Sequence, residues 1–164
     1  MHPLSKMALP MRSDTATPIP ECNCLALRQA ARHVTQFYDQ CLAQAGLRIT
    51  QFSILARLQR LGPLTINALA RELVMDRTTL GRNMLPLERE GLITIVDGAP
   101  DRRSKVLRLT KAGAGRVRAA RKLWGEAQTH FEKSFGAERA STLRKELRAV
   151  AASELRGVTH RRAA

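Results

Sequence analysis

Aromatic residues are scarce in this 164-residue chain, at 4% of its composition. The six rings stand at helical spacings and are Phe37, Tyr38, Phe52, Trp124, Phe131 and Phe135. Proteins that bind single-stranded RNA or DNA by stacking need several exposed rings. Six rings cannot supply such a platform and a hydrophobic core as well, so the composition disfavours a single-strand binder.

Cysteines are few, and long apolar runs are absent. The three cysteines, Cys22, Cys24 and Cys41, are an odd number in a chain that can build a core without disulfides, which favours a reduced compartment. No apolar run approaches the roughly 20 residues of a membrane span. The N-terminus also lacks the charged and apolar regions of a secretory signal. We therefore expect a cytoplasmic protein that is not inserted in a membrane.

Acidic residues number only 14 against 28 Lys and Arg, which gives a formal charge of +14 and a pI near 11.3. Such an excess usually has a polyanionic partner. The four histidines, His2, His33, His130 and His160, are isolated, and neither a Cys-x-x-Cys pair nor a glycine-rich phosphate loop is present. The sequence therefore predicts no catalytic residues, no metal site and no cofactor, and an enzyme is the weakest interpretation.

Proline, apolar periodicity and glycine divide the chain into segments. Four of the seven prolines lie near the N-terminus, so residues 1–21 are predicted to be a flexible arm. Residues 22–155 are predicted to form one domain. Within it, residues 22–45 form an amphipathic helix and residues 111–155 form two further helices, while 156–164 are a basic tail.

The central segment, residues 46–110, combines short helices with two strands. Thr50 is expected to cap a helix that ends at Gly62-Pro63, and Thr65 to open a short third helix. After a break at Val74-Met75, Asp76 can cap a fourth helix that runs to about Glu90. Residues 92–96 and 106–109 read as the strands of a hairpin. This order predicts a mainly α fold with a small β-hairpin wing, a winged helix-turn-helix.

The fourth helix and the wing carry side chains suited to double-stranded DNA. Arg can bind guanine through two hydrogen bonds, Asn can do the same for adenine, and a Thr methyl can pack on thymine. An arginine-bearing hairpin tip suits the minor groove. The alternative is a solvated polar face and a solvated turn. The candidate DNA-contacting residues are Arg77, Thr78, Thr79, Arg82 and Asn83 on the helix and Asp101, Arg102, Arg103 and Lys105 in the wing.

The run from Leu69 to Gly113 resembles the MarR family of bacterial regulators. The stretches that carry the resemblance are LARELVMDRTTLGRNMLPLEREGLI, DRRSKVLRLT and TKAG. The resemblance implies a homodimer in which the first helix and the last two helices interlock, over a pseudo-palindromic operator. It further implies that Thr78, Thr79, Arg82 and Asn83 enter the major groove and Arg103 the minor groove, and that Thr65 and Asn67 contact phosphate.

The apolar pattern of the terminal helices independently favours a dimer. The first helix is apolar over a wider arc than a small winged domain can cover. Two-fold symmetry would match two half-sites about one helical turn apart. The last helices also need a partner surface for Leu123, Phe131, Phe135, Leu143, Leu147 and Val150.

Two triggers for DNA release remain open at the level of sequence. The family resemblance implies a repressor that is released by a small aromatic or phenolic anion. Arg28, Arg32 and His33 could then meet the anion, with Phe37 and Phe52 as apolar walls. The competing trigger is oxidation of Cys22 and Cys24, which lie at a helix start where the macrodipole favours a thiolate.

Both triggers have structural alternatives. The stretch around Cys24 is similar to that of the peroxide-sensing branch of the family, but the two cysteines could instead be small side chains packed at the dimer interface. The arginines and the histidine could be solvated surface residues. A basic architectural protein that binds DNA without sequence preference is the third functional alternative.

Overall fold

The computed structural model describes residues 21–98 and 104–155. The predicted arm up to residue 20, the basic tail 156–164 and the wing residues Asp101, Arg102 and Arg103 lie outside the described residues. The helices are α1 (Asn23–Leu42), α2 (Ile49–Leu61), α3 (Ile66–Glu72), α4 (Arg77–Arg89), α5 (Lys111–Phe135) and α6 (Ala137–Ala152), with a 3-10 turn at Ala43–Ala45 after α1. The strands are β1 (Leu64–Thr65), β2 (Ile93–Asp97) and β3 (Lys105–Leu109). The predicted fold class, mainly α with a hairpin wing, is confirmed.

The sheet has a strand that the sequence did not predict. Its order is β1-β3-β2 and both pairings are antiparallel. In the unpredicted pair Leu64 faces Leu107 and Thr65 faces Val106, and in the hairpin Ile93 faces Leu109. Two residues are too few to show alternation, so β1 is recognisable only from its partner strand.

The start of α2 differs from the prediction. The helix begins at Ile49, so Thr50 lies within its first turn and is not the N-cap. The Ile49 N–H donates to Asp39 Oδ1 of α1 at 2.7 Å, and the Arg48 N–H donates to Gln51 Oε1 at 2.9 Å. A carboxylate ten residues earlier in the chain thus replaces the local cap. α6 likewise ends at Ala152, short of the predicted Leu155.

The core lies between α2, α4, the sheet and α5. Leu80, Met84 and Leu87 of α4 are buried, as predicted, and they pack into one cluster that includes Ile54, Leu55, Leu69, Ile93, Leu107 and Val117. The terminal helices contribute little, because α1 buries only Tyr38 and Leu42 and α6 only Ala140. In the described part of the chain no helix is both long and apolar enough to cross a bilayer.

The N-terminus of α5 rests directly on the segment that follows α4. The Thr110 hydroxyl donates to the Gly91 carbonyl at 2.7 Å and accepts from the Gly113 N–H at 3.0 Å, so it caps α5 and holds the end of α4 at once. The Thr110 N–H donates to the Leu92 carbonyl at 3.1 Å. A Cβ at position 113 would stand 2.1 Å from that same carbonyl oxygen, so only glycine fits there.

Gly113→Ala is expected to lower the free energy of unfolding by about 1–3 kcal/mol, because the added methyl forces the Leu92 backbone away from α5. Gly125→Ala in the same helix is the matched control, since nothing lies within 4 Å of its Cβ position. The control is expected to gain about 0.5–1 kcal/mol. Urea unfolding measures both changes, and equal effects of the two substitutions would contradict the close approach.

Candidate nucleic-acid interface

Helices α3 and α4 form a helix-turn-helix whose second helix has a fixed start. Asp76 is the N-cap of α4: its Oδ1 accepts from the Thr79 N–H at 2.8 Å and its Oδ2 accepts from the Thr79 hydroxyl at 2.6 Å. The bond from the Thr79 hydroxyl, followed by the bond from its N–H, holds the pKa of Asp76 below its ordinary value. The carboxylate therefore stays charged at the positive end of the helix dipole.

The leading end of α4 presents polar side chains to solvent. Arg77, Thr78, Thr79 and Arg82 are exposed and Asn83 is half-buried, as expected for an outward face. Thr79 is engaged with Asp76, and Asn83 Nδ2 donates to the Thr79 carbonyl at 2.8 Å. Among the described residues Arg77 and Arg82 have no ion-pair partner. Arg77, Thr78 and Arg82 therefore form the part of the predicted set that is free to meet a ligand.

The turn between α3 and α4 contains the one non-glycine residue with positive φ in the described part of the chain. Val74 has a φ of 51° and is 75% exposed. Its N–H donates to the Arg71 carbonyl and the Met75 N–H to the Ala70 carbonyl, which is the Schellman arrangement that usually has glycine at this position. A β-branched residue in the left-handed region is strained. The turn leaves the apolar side chain of Val74 exposed to solvent just before the start of α4.

The predicted phosphate-contacting residues lie at the start of α3. The Thr65 hydroxyl accepts from the Ala68 N–H at 3.1 Å and so caps α3, whereas Asn67 is exposed in the first turn. At the other end of α3, Glu72 pairs with Arg57 and Arg60 of α2, each at 3.2 Å. These two bridges hold the helix against α2.

The base of the wing has its own ion pair. Lys105 and Asp97 face each other across β2 and β3, and Lys105 Nζ donates to Asp97 Oδ1. The Gly98 N–H donates to the Ser104 carbonyl at 2.7 Å, which extends the pairing of β2 and β3 by one hydrogen bond beyond Asp97 and Lys105. Lys105 thus lies where the sequence predicts a DNA contact, but with its charge partly offset by a neighbour.

The residues proposed for an anionic ligand do not lie together and occupy three places. His33 and Phe37 line a cleft of about 410 Å³ between α1 and α5, together with His130, Phe131 and Phe135. Phe37 stacks on His130 with centroids 5.4 Å apart. Phe52 does not line this cleft, because it is buried in the core against Trp124, and Arg28 and Arg32 lie on α1 outside the cleft. Sequence reasoning did not assign His130 to this site. Its contact with Phe37 follows from the packing of α5 against α1 and leaves no mark in the sequence.

The two candidate redox cysteines are both exposed at the start of α1. Cys22 is the N-cap, and its Sγ accepts from the Leu25 N–H at 3.4 Å. Cys41 is half-buried near the other end of the helix. No cluster of three or more His, Cys, Asp or Glu side chains that could hold a metal ion occurs within residues 21–98 and 104–155.

Comparison with known proteins agrees with this geometry. A family model described as the MarR family matches residues 47–105, which run from α2 to the wing. The structure of the transcriptional regulator MosR of M. tuberculosis, solved in complex with DNA, is 35% identical and superposes with a TM-score of 0.72. That superposition covers 80% of this chain and 94% of MosR. The chain belongs to the MarR family.

Two further relatives of this MarR-family regulator differ in how much of the chain they match. An organic hydroperoxide resistance transcriptional regulator of Bacillus subtilis is 30% identical over 91 residues, which is 56% of this chain and 62% of that protein. The transcriptional repressor CouR, solved on a 23-mer DNA duplex, is 26% identical with a TM-score of 0.71 and covers 79% of this chain and 92% of its own. The family and the winged helix-turn-helix fold are thereby established.

Asp76→Asn is expected to reduce the acid sensitivity of the protein. The pKa of Asp76 is lowered from 3.8 in the folded state, so its contribution to stability is complete above that value and is lost as the pH falls through the lower folded pKa. Asn retains an oxygen that can cap α4 but does not titrate. Thermal unfolding at pH 7 and pH 3 should show a smaller pH-dependent drop in Tm for the variant than for the wild type. Equal drops would mean that the charge of Asp76 does not contribute to the stability of the folded protein.

Proposed function

We propose that this chain is a cytoplasmic, homodimeric regulator that represses transcription from a pseudo-palindromic operator and acts by binding rather than by catalysis. One observation carries the proposal. The exposed Arg77, Thr78 and Arg82 stand at the leading end of a helix whose opposite face is locked into the core by Leu80, Met84 and Leu87. A rigid helix with free polar side chains at its N-terminal end is what the major groove admits.

The spacing of these side chains suits base readout. Thr78 and Arg82 are four residues apart, so they lie on one face of α4 and are separated by about 6 Å along its axis. That distance is close to two base-pair steps of 3.4 Å in B-DNA. Arg82 could therefore bind a guanine while the Thr78 methyl packs on a thymine, and Arg77, turned by about 100° from Thr78, could contact the DNA beside them. Asn67, exposed at the start of α3, is proposed to contact a phosphate.

The wing completes the proposed half-site. Arg102 and Arg103 are proposed to enter the minor groove, with Asp101 holding Arg103 in one rotamer by a charged hydrogen bond. This part of the proposal rests on the sequence between Asp97 and Lys105. The ion pair of those two residues supports it by joining β2 and β3 at the base of the wing.

Dimerisation is proposed from the apolar side chains that the terminal helices leave in solvent. Leu25 and Leu27 of α1 are 52% and 41% exposed, and Leu147 and Val150 of α6 are 42% and 43% exposed. Large apolar side chains left exposed on both terminal helices are surface that a partner subunit would cover. The helix-turn-helix of α3 and α4, with the wing, is called the reading head below. A two-fold dimer would place its two reading heads about 34–36 Å apart, which is one turn of DNA. The DNA complexes of MosR and CouR support a duplex as the partner.

The proposed signal is a small aromatic anion that binds in the cleft between α1 and α5. The cleft volume of about 410 Å³ lies within the range of roughly 300–1,000 Å³ typical of ligand pockets. Phe37, Phe131 and Phe135 supply flat apolar walls, and His33 and His130 supply imidazoles that could bind a carboxylate. A ligand that favours one separation of α1 and α5 would shift the spacing of the reading heads.

Oxidation of Cys22 or Cys24 is the second candidate signal. Both thiols are exposed at the start of α1, where a hydroperoxide can reach them. The B. subtilis relative is named for organic hydroperoxide resistance. Two-electron oxidation would give a sulfenic acid on the cysteine and an alcohol from the hydroperoxide. The change would occur on one of the helices proposed to form the dimer.

Arg82→Ala is expected to weaken binding to a preferred duplex by about 1–3 kcal/mol and to relax selection at one base pair. Arg89→Ala is the matched control, because it removes the same charge from the far end of α4. Fluorescence anisotropy at one salt concentration, with a duplex selected by the wild-type protein from a randomised pool and with a random duplex, measures both variants. Equal losses on the two duplexes would make Arg82 a phosphate contact and would favour a non-specific architectural protein.

The two candidate signals are separated by one titration. The wild-type protein on its selected duplex is treated with reductant, with cumene hydroperoxide and with benzoic and salicylic acids. Release by the acids that is abolished in Phe37→Ala and retained in Cys22→Ser/Cys24→Ser would assign the signal to the cleft. Release by hydroperoxide that is reversed by thiol and lost in the cysteine variant would assign it to the thiols instead.

A further inference from the structure

A single guanidinium joins the ends of two helices that have different roles. Arg116, on the second turn of α5, donates from Nη1 to the Ala45 carbonyl at 3.2 Å, where the 3-10 turn after α1 ends. The same Nη1 lies 3.6 Å from Oε2 of Glu90, the residue that directly follows α4. α1 belongs to the proposed dimer interface, and α4 is the helix proposed to bind DNA.

Both contacts lie at the negative ends of helix dipoles. Carbonyls at the C-terminal end of a helix have no partner within the helix, and a cation placed there is favourable. A carboxylate at the same end is unfavourable. Glu90 is the C-cap of α4, so its charge is tolerated because Arg116 stands beside it. Arg116 therefore compensates two sites of negative potential that no other described cation contacts.

Gly46 lies directly against the Arg116 guanidinium. It has a φ of 66°, in the left-handed region, and a Cβ added to it would stand 3.0 Å from Arg116 Nη1. A side chain at position 46 would therefore crowd the guanidinium that binds the Ala45 carbonyl. The side chain of Arg116 is 35% exposed and that of Glu90 is 45% exposed. A half-exposed pair of this kind contributes little to global stability, so its effect is expected on geometry.

We propose that Arg116 is a positioning residue for DNA recognition, which sets the orientation of α4 relative to the dimerisation helices by holding Ala45 and Glu90 together. The proposal rests on the proposed function, because it concerns how two reading heads match two half-sites. Without Arg116 the core and the Thr110 hydrogen bonds still hold the end of α4 against α5, but the turn after α1 is no longer tied to that end, so α4 can change its angle to α1. A dimer whose heads pivot tolerates more than one half-site spacing.

The test compares Arg116→Met with Arg121→Met. Arg121 lies on the same helix and contacts Gln59 at 3.1 Å, so its loss removes an equal charge but leaves the joint intact. Anisotropy is measured on the duplex that the wild type selects, on the same duplex with one base pair inserted or removed between its half-sites, and on a random duplex. All titrations use one salt concentration, because phosphate contacts depend on it.

Arg116→Met is expected to lose about tenfold in affinity for the selected duplex, since loss of one weak joint costs about threefold and a dimer contains two. The affinity of Arg116→Met for the random duplex should fall by about twofold or less. The affinity of Arg121→Met should fall by no more than that on the selected duplex and on the random duplex. The penalty for the inserted or removed base pair should shrink. Arg116→Lys, which can reach one partner, should recover part of the preference.

Glu90→Gln tests the joint from the other side and keeps the proposal testable if Arg116→Met folds poorly. Removing a negative charge from the protein raises its affinity for a random duplex, whereas loosening the joint lowers the ratio of selected to random affinity. A fall of that ratio in Glu90→Gln supports the proposal. An unchanged ratio in Arg116→Met and Glu90→Gln, or an equal fall of that ratio in Arg121→Met, overturns it. A wild type without preference for any palindromic duplex overturns the proposed function and this inference together.

Discussion

The contact between residues 90–92 and the first two turns of α5 is the constraint on which the arrangement of this protein depends. α4 ends there, the wing begins there, and α5 starts from the same place after the wing returns. The Leu92 carbonyl, the Thr110 hydroxyl and the absent side chain of Gly113 bring the backbones together. The direction of α4 and the direction of the long helix that leaves the domain are therefore set at one point, and any signal that moves α5 reaches the reading helix there.

The features that sequence reasoning predicted are those whose cause is local. The inward face of α4 follows from a period of three and four residues, and Asp76 and Thr65 cap because each has a helix directly after it. The features it missed have distant causes. Asp39 takes the capping role predicted for Thr50 because the turn after α1 brings the start of α2 next to Asp39. β1 forms because β3 runs beside it and supplies its hydrogen-bond partners.

For the candidate site, residue types were predictable but engagement was not. Thr79 and Lys105 have the chemistry to contact DNA, yet in the structure each bonds to an acid of its own domain. Phe52 and Phe37 look alike in the sequence, yet one faces Trp124 in the core and the other faces His130 at a cleft. Only tertiary packing decides these alternatives. Val74 is the reverse case, since its type argues against the left-handed turn that α3 and α4 require.

The arrangement of charge around α4 explains how a strongly basic chain can still be selective. A surplus of +14 would favour any polyanion. Around α3, α4 and the sheet, however, four of the described cations are paired: Arg57 and Arg60 with Glu72, Lys105 with Asp97, and Arg116 with Glu90. These three acids lower the net positive charge of this region, whereas Arg77 and Arg82, in the N-terminal half of α4, have no ion-pair partner among the described residues. In the proposed complex, selectivity would depend on whether those two guanidinium groups find acceptors on the bases, and therefore on base sequence and helix orientation rather than on net charge.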